Sequence, residues 1–213
     1  MGNRVVIKFG GADLASGKKI RKAARMVLES GFKEVVVVVS AMAGATDSLI
    51  DAMSKIGNVT DRDYAEIVSM GERTSARIFC SALRSLGADA MYLEPSNEHW
   101  PIITDSDFRD AEVDIEETCR RARLHVEPLL RGKMVVVCGF LGRDRDGNVT
   151  TLGRGGSDTS AMVLANCLGA EETILVKETE GVMSADPKMA PEARPLERLD
   201  IHEMFALAYG GAK

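Results

Sequence analysis

Short runs of apolar residues alternate along the chain with longer segments in which apolar residues recur every three to four positions. Four runs, at residues 5–9, 35–39, 133–142 and 173–176, are rich in valine or other β-branched residues. Such runs are typical of strands covered on both faces. A shorter run at 89–93 predicts one more strand. The alternation of strands and helices predicts one α/β domain.

Three segments have the spacing of amphipathic helices. Residues 19–28 place their apolar side chains on one face, and residues 61–86 continue such a pattern over several turns. Residues 114–130 predict a helix that is interrupted near Pro128. Helices of this kind bury their apolar face against a sheet, which fits the α/β prediction.

Gly71 lies inside the long predicted helix, where glycine costs about 1 kcal/mol relative to alanine. The glycine therefore predicts either a break in the helix or a close approach of another segment. Glu72 and Arg73 follow it and are candidate ligands for an amino group and an anion. Alternatively, the two residues form a solvated ion pair on an exposed face.

Residues typical of turns and helix caps lie between these predicted elements. Residues 142–150 contain Asp146 and Gly147 between two extended segments and predict a β-hairpin. Asp47 follows the second strand and is a candidate N-cap for a helix that begins near Ser48.

Charge and composition narrow the possible partners. The 213 residues are 45% hydrophobic and carry a net charge of −5. No basic stripe is present, so we expect no nucleic-acid partner and only local phosphate binding. No apolar stretch approaches the roughly 18 residues of a membrane span, and the N-terminus has no signal-peptide pattern. We expect a cytoplasmic protein with no membrane partner.

The cysteines are widely spaced and form no CxxC pair; they are Cys80, Cys119, Cys138 and Cys167. Only three histidines could join them as metal ligands. We therefore expect reduced thiols, with neither a zinc site nor a disulfide framework.

Polar residues gather at the ends of two predicted strands. Lys8 lies in an otherwise apolar run and is followed closely by Gly10 and Gly11. A lysine in an apolar strand costs free energy unless an anion meets it, which favours a phosphate contact. Alternatively, its ammonium group only extends from the strand end into solvent. Ser40 and Thr46 follow the second strand, where open α/β sheets bind ligands.

The segment 151–159, TLGRGGSDT, combines three glycines with Arg154, Ser157 and Asp158 just before an apolar helix. Glycines let the backbone approach a ligand, and the N-terminus of a helix attracts anions. The segment predicts an anion-binding loop in which Arg154 grips a carboxylate or phosphate. Alternatively, it is a tight strand-to-helix turn in which Ser157 or Asp158 caps the helix.

Taken together, five motifs resemble in order and spacing those of the aspartokinases of the amino acid kinase superfamily. They lie at residues 8–11, 40–42, 70–73, 139–142 and 152–158. The resemblance extends from residue 5 to residue 213. It implies a three-layer αβα sandwich around a mainly parallel sheet, with residues 1–213 as the catalytic domain. In this comparison the chain ends before the family's last helix and strand and carries no ACT regulatory domain.

The resemblance implies transfer of the γ-phosphoryl group of MgATP to the side-chain carboxylate of L-aspartate. The product, 4-phospho-L-aspartate, leads to lysine, threonine and methionine. ATP and L-aspartate are then the small-molecule partners, Mg²⁺ is held by ATP oxygens and water without a protein metal site, and a homo-oligomer is expected. Two alternatives are a kinase of the same fold with another acceptor, and a ligand-binding relative without catalysis.

Matching motifs imply a role for each candidate residue. Lys8 and Asp158 are the catalytic pair. The substrate-binding residues are Ser40, Thr46, Glu72, Phe140, Arg154 and Ser157. The nucleotide-binding residues are Lys8, Gly10, Gly11, Lys177, Glu178, Met183, Asp186, Lys188 and Lys213.

Three segments depart from the family pattern. Ala12 and Asp13 stand where a hydroxyl residue is usual, which removes one phosphate or substrate contact. Residues 177–183, KETEGVM, replace an aromatic residue on the adenine side with Met183. Residues 96–100, SNEHW, are also unusual and are a candidate for contact with the acceptor.

Overall fold

The computed structural model describes residues 4–177, 181–186, 188–200, 202–204 and 207. The chain divides into two compact units, residues 1–176 and residues 177–213. The described strands and helices considered below lie in the first unit.

Within the described residues, the main sheet has five strands in the order β3-β4-β2-β1-β7, and all neighbours are parallel. The strands are β1 (Arg4–Phe9), β2 (Glu34–Val39), β3 (Ala90–Leu93), β4 (Met134–Cys138) and β7 (Glu172–Val176). Two short strands, β5 (Leu141–Arg143) and β6 (Val149–Thr151), form the antiparallel hairpin expected from the Asp-Gly turn. The predicted mainly parallel sheet is confirmed.

Helices cover both faces of this sheet. They are α1 (Gly17–Glu29), α2 (Ala45–Ser54), α3 (Asp61–Ser85), α4 (Ile115–Arg121), α5 (Glu127–Leu130) and α6 (Gly156–Leu168). α1 and α2 pack against α3, whereas α4 packs against α6. The valines of residues 35–39 are all 0% exposed, although successive side chains point to opposite faces of the sheet. Both faces are therefore buried, as in a three-layer αβα sandwich.

The local predictions for the helices were partly right. α3 runs through Gly71 without a break, so the glycine marks a close approach instead. The interruption before Pro128 is a π-helical turn at Ala122–Val126. The suggestion that Asp47 caps α2 is wrong, because α2 begins at Ala45 with Gly44 as its N-cap.

The cysteines depart from the expectation of reduced thiols. Cys119 in α4 and Cys167 in α6 form a disulfide bond, with their Cα atoms 4.4 Å apart. The expectation of no disulfide is wrong for this pair, because 48 positions separate the two residues in sequence and the packing of α4 against α6 brings them together. Cys80 and Cys138 are free and buried.

Among the described residues, no helix is both long and apolar enough to span a membrane. In the second unit, Met183 and Pro195 form an isolated antiparallel bridge. Lys188 donates its backbone N–H to the Asp186 carboxylate at 2.9 Å.

Candidate active site

A cavity of about 320 Å³ opens where β1 and β2 end and α6 begins. We call it the strand-end cavity, and its lining residues are Lys8, Ser40, Ala41, Thr46, Glu72, Phe140, Gly153, Gly155, Gly156, Ser157 and Asp158. In an α/β sheet, the carboxyl ends of parallel strands meet at one edge, which is where ligands bind. The predicted catalytic pair and five predicted substrate-binding residues thus lie around one space.

Lys8 is positioned by the centre of the sheet. It lies on β1, in register with Val38 of β2 and Leu175 of β7, and it is 6% exposed. Its ammonium nitrogen Nζ lies 2.6 Å from Oδ1 of Asp158. A buried cation requires such a counter-charge, because the protein interior solvates it poorly.

Asp158 is positioned by the first turn of α6. A carboxylate is stabilised there by the positive end of the helix dipole. The alternative suggestion that Ser157 or Asp158 caps this helix is wrong, because Gly155 is the N-cap and no side chain makes a capping hydrogen bond. Both residues instead line the strand-end cavity.

Glu72 enters the cavity from α3. It is 4% exposed, and its Oε1 accepts a hydrogen bond from the Ala41 N–H at 3.0 Å. Its Oε2 is buried and has no hydrogen-bond partner within the described residues. Burial raises the pKa of Glu72 to about 7, although the bond from Ala41 opposes the shift. A ligand cation would satisfy the second oxygen and the buried charge together.

Gly71 allows α3 to bring Glu72 to the end of β2. A Cβ atom at position 71 would lie 2.8 Å from the Cβ of Ala41 and 3.7 Å from Oγ1 of Thr46. The first distance is shorter than a van der Waals contact, so a larger residue would push α3 away. The close approach that the glycine predicts is therefore confirmed.

Phe140 is held in an uncommon backbone conformation beside the cavity. Its φ of 68° lies in the left-handed region, which costs free energy for a residue with a side chain. The Phe140 N–H donates to Oγ of Ser160 at 3.0 Å, and that hydroxyl donates to the Gly156 carbonyl at 2.9 Å. Ser160 was missed by the sequence analysis, because a serine inside an apolar helix gives no signal of this contact.

Gly10 and Gly11 do not line the strand-end cavity. The Gly10 N–H donates to Oδ2 of Asp13 at 3.3 Å, so a side chain of the same loop already accepts from the expected phosphate donor. A Cβ at Gly11 would lie 2.8 Å from the Ala41 carbonyl oxygen, which requires glycine there. The contact of Asp13 was also missed, although its departure from the family pattern was a signal.

Arg154 is exposed and is not among the lining residues. It forms no ion pair within the described part of the chain. Residues 96–100, which were candidates for contact with the acceptor, do not line this cavity either.

The predicted nucleotide residues beyond β7 belong to the second unit. Lys177, Met183, Asp186 and Lys188 are described there, and Glu178 and Lys213 lie outside the described residues.

Comparison with known proteins identifies relatives along nearly the whole chain. Residues 3–213 match the family described as the amino acid kinase family. An aspartokinase from Corynebacterium efficiens is 38% identical over 213 residues, which cover 98% of this chain and 49% of that protein. An aspartate kinase from Pseudomonas putida is 37% identical over 98% of this chain and 50% of its own length. The chain spans about half the length of these relatives.

The fold is similar to that of solved aspartokinase structures. The crystal structure of E. coli aspartokinase III in complex with aspartate and ADP superimposes with a TM-score of 0.81 at 27% sequence identity. The similarity covers 90% of this chain and 53% of that one.

Proposed function

The chain belongs to the amino acid kinase family, and we propose that it is an aspartokinase catalytic domain. It transfers the γ-phosphoryl group of ATP to the side-chain carboxylate of L-aspartate and yields ADP and 4-phospho-L-aspartate. The observation that carries the proposal is the ion pair of the buried Lys8 with the partly exposed Asp158, which shares one cavity with the buried carboxylate of Glu72. The Lys8 ammonium suits a phosphoryl group, and the Glu72 carboxylate suits an ammonium group.

Phosphoryl transfer between two anions depends mainly on positioning and on neutralising charge. Lys8 supplies the positive charge next to the transferring group, and Asp158 holds its ammonium in place. A carboxylate oxygen of the acceptor forms the new bond to phosphorus while the bond to the β-phosphate oxygen breaks. The protein forms no covalent intermediate in this scheme.

The acceptor amino acid is held by the other lining residues in this proposal. Glu72 accepts hydrogen bonds from the α-ammonium group, because its buried Oε2 has no partner within the described residues. Ser40, Thr46 and Ser157 offer hydroxyl groups, and Phe140 covers the pocket.

Nucleotide contacts are proposed from the resemblance. They involve Lys8, Gly10 and Gly11 at the phosphates and, in the second unit, Lys177, Glu178, Met183, Asp186, Lys188 and Lys213. Mg²⁺ enters with ATP, held by phosphate oxygens and water, and offsets the phosphate charge. Within the described residues, no cluster of three or more metal-binding side chains is present.

We also propose, from the same resemblance, that the chain forms a homo-oligomer in the cytoplasm. Light scattering coupled to gel filtration tests the first part, since a monomeric mass would contradict it.

A second candidate is a kinase of the same fold with another acceptor. The exposed position of Arg154, outside the cavity, favours this candidate, because Arg154 is the proposed clamp for a substrate carboxylate. The variant Arg154→Ala tests the clamp, and the choice of acceptor in the assay below distinguishes the two candidates. If Arg154 holds the substrate carboxylate, the variant should have a higher KM for L-aspartate than the parent. An unchanged KM would contradict this role of Arg154.

The proposed activity is tested by incubating the purified chain with MgATP and L-aspartate and trapping acyl phosphate with hydroxylamine. L-Glutamate, no acceptor and the Lys8→Ala variant serve as controls. We expect aspartate-dependent hydroxamate with the parent and a background signal from the folded variant. ADP formation with another acceptor but not with aspartate would favour the second candidate, and activity retained by Lys8→Ala would contradict the site.

A further inference from the structure

A second cavity, lined by several basic residues, is distinct from the strand-end cavity. Its volume is about 570 Å³, and its walls include Arg121, Arg143 and Arg145. We call it the arginine cavity. Its lining residues are all different from those of the strand-end cavity.

Two of these arginines bind only main-chain oxygens. Arg143, at the end of β5, donates through one terminal nitrogen to two carbonyl oxygens of the segment 95–100, at 2.9 and 3.2 Å. Arg121, at the end of α4, donates to two other carbonyl oxygens of that segment, at 2.8 and 2.7 Å. Within the described residues, neither guanidinium lies within 4.0 Å of a carboxylate. Both keep further N–H donors for a ligand.

The acidic residues of the cavity are already engaged or exposed. Both carboxylate oxygens of Glu117 accept from Arg120 at 2.7 Å. The buried Asp144 carboxylate accepts from the backbone N–H groups of its own turn, at 2.8 and 3.0 Å. Asp146 is exposed, so solvent weakens but does not abolish its repulsion of an anion. Among the described lining residues, Arg121 and Arg143 are therefore the cations that have no carboxylate partner, whereas the Asp144 carboxylate is satisfied by hydrogen bonds within its own turn.

The positive charges of Arg121 and Arg143 repel each other, which costs free energy. Burial, followed by the positive charge of Arg121, lowers the pKa of Arg143. A guanidinium does not release its proton at neutral pH, so the two like charges repel each other within one cavity. An anion between them would replace this repulsion with attraction.

We propose that the arginine cavity binds the phosphate group of a small metabolite. A phosphate carries roughly −1.5 to −2 charges at pH 7 and accepts several hydrogen bonds, which matches two guanidinium groups better than a single carboxylate does. The volume is in the range of small-molecule sites. This site is separate from the proposed kinase chemistry and does not depend on it.

The test is a titration of the ¹⁵N-labelled chain with inorganic phosphate, followed by NMR. The reporters are the amides of Ile103 and Gly147, which line the arginine cavity. We expect saturable shifts at both amides and binding about tenfold weaker in Arg121→Gln and Arg143→Gln. Arg131→Gln, an exposed arginine that lines neither cavity, is the matched control and should bind like the parent.

Two further variants keep the test decisive if an arginine variant fails to fold. Asp146→Asn removes the exposed negative charge at the cavity and should tighten phosphate binding by about threefold. Lys8→Gln removes the cation of the strand-end cavity and should leave the shifts at Ile103 and Gly147 intact.

Several outcomes would overturn the proposal. They are the absence of saturable shifts at the two reporters, equal affinity in the arginine variants, loss of the shifts in Lys8→Gln, or unchanged or weaker binding in Asp146→Asn. Succinate serves as the dicarboxylate probe, and tighter binding of succinate than of phosphate would rule out a phosphate site.

Discussion

Lys8 and Asp158 depend on each other, because the buried ammonium group of Lys8 needs a counter-charge and Asp158 supplies it. The ammonium group of Lys8 is held at 2.6 Å from a carboxylate that a different part of the chain supplies. Removal of either charge leaves the other without its ion-pair partner. A single substitution therefore measures the effect of losing the pair.

Asp158→Asn should lower kcat by about 100-fold or more, since Lys8 loses the group that orients it toward the phosphoryl. The loss of stability should be smaller, about 2 kcal/mol, because Asp158 is partly exposed. Steady-state kinetics and urea unfolding measure the two effects. The control is Asp47→Asn, an exposed aspartate in the first turn of α2, and an equal loss of kcat there would contradict a specific role for Asp158.

Glu72 should make stability depend on pH in an unusual direction. Its pKa is about 7 in the folded chain, against an ordinary value of 4.5. The folded state therefore binds a proton more tightly, and this stabilisation is complete below pH 4.5 and lost as the pH rises through 7. Relative to Glu72→Gln, the parent should lose up to about 3 kcal/mol between these pH values.

Urea unfolding of the ligand-free parent and of Glu72→Gln at pH 5 and pH 8 checks this prediction. Glu29→Gln changes an exposed glutamate and should show no such pH-dependent difference from the parent. A parent that gains stability relative to Glu72→Gln with rising pH would reverse the sign and refute the assignment.

At the scale of elements, the contact between α3 and the end of β2 determines where Glu72 lies. Gly71→Ala adds a methyl group at 2.8 Å from the Cβ of Ala41. We expect α3 to shift, with a loss of about 1–3 kcal/mol that outweighs the better helix propensity of alanine. The KM for the acceptor should rise as well, because Glu72 moves with the helix.

A double-mutant cycle with Ala41→Gly measures this contact. The second substitution removes the opposing methyl group, so the double variant should recover part of the stability lost by Gly71→Ala. Additive losses in the cycle would show that the two positions do not interact.

The elements could be predicted well where the sequence pattern alone decides them. Continuous valine runs identify β2 and β4, because strands buried on both faces need apolar residues at every position. The start of α2 was missed, since Gly44 and not Asp47 is the N-cap. Pro128 indicated the interruption of the helix at 114–130, but not its π-helical form at Ala122–Val126.

The site was predictable only in part, because the sequence pattern identifies motifs but not the contacts that form in the folded chain. Motifs located Lys8, Glu72 and Asp158, which line one cavity. The position of Arg154 could not be derived, because it depends on the conformation of a glycine-rich turn. The arginine cavity was not predicted, since residues from α4 and β5 meet only in the folded chain.

At the scale of the whole molecule, the Cys119–Cys167 disulfide connects α4 to α6, the helix that carries Asp158. A bond that closes a loop of this length is worth about 4 kcal/mol if it acts by restricting the unfolded chain. Cys119→Ser should therefore lower the free energy of unfolding by about that amount in the absence of reductant.

Unfolding of the parent with and without reductant gives an independent measurement, and mass spectrometry of alkylated peptides identifies the bonded pair. Cys80→Ser, which changes a buried free thiol, is the control for packing effects. Equal stability of the oxidised and reduced parent would show that the bond does not restrict the chain.

The interior position of β1 in the described sheet determines how the proposed activity should be lost on unfolding. Lys8 has a neighbouring strand on each side, in register with Val38 and Leu175. Within the described sheet, fraying of the edge strand β7 would still leave β1 paired with β2, so Lys8 should lose its position only through openings that approach global unfolding. Denaturant should then abolish the proposed catalysis in the same cooperative transition that melts the sheet, which makes enzyme activity a direct reporter of the folded fraction.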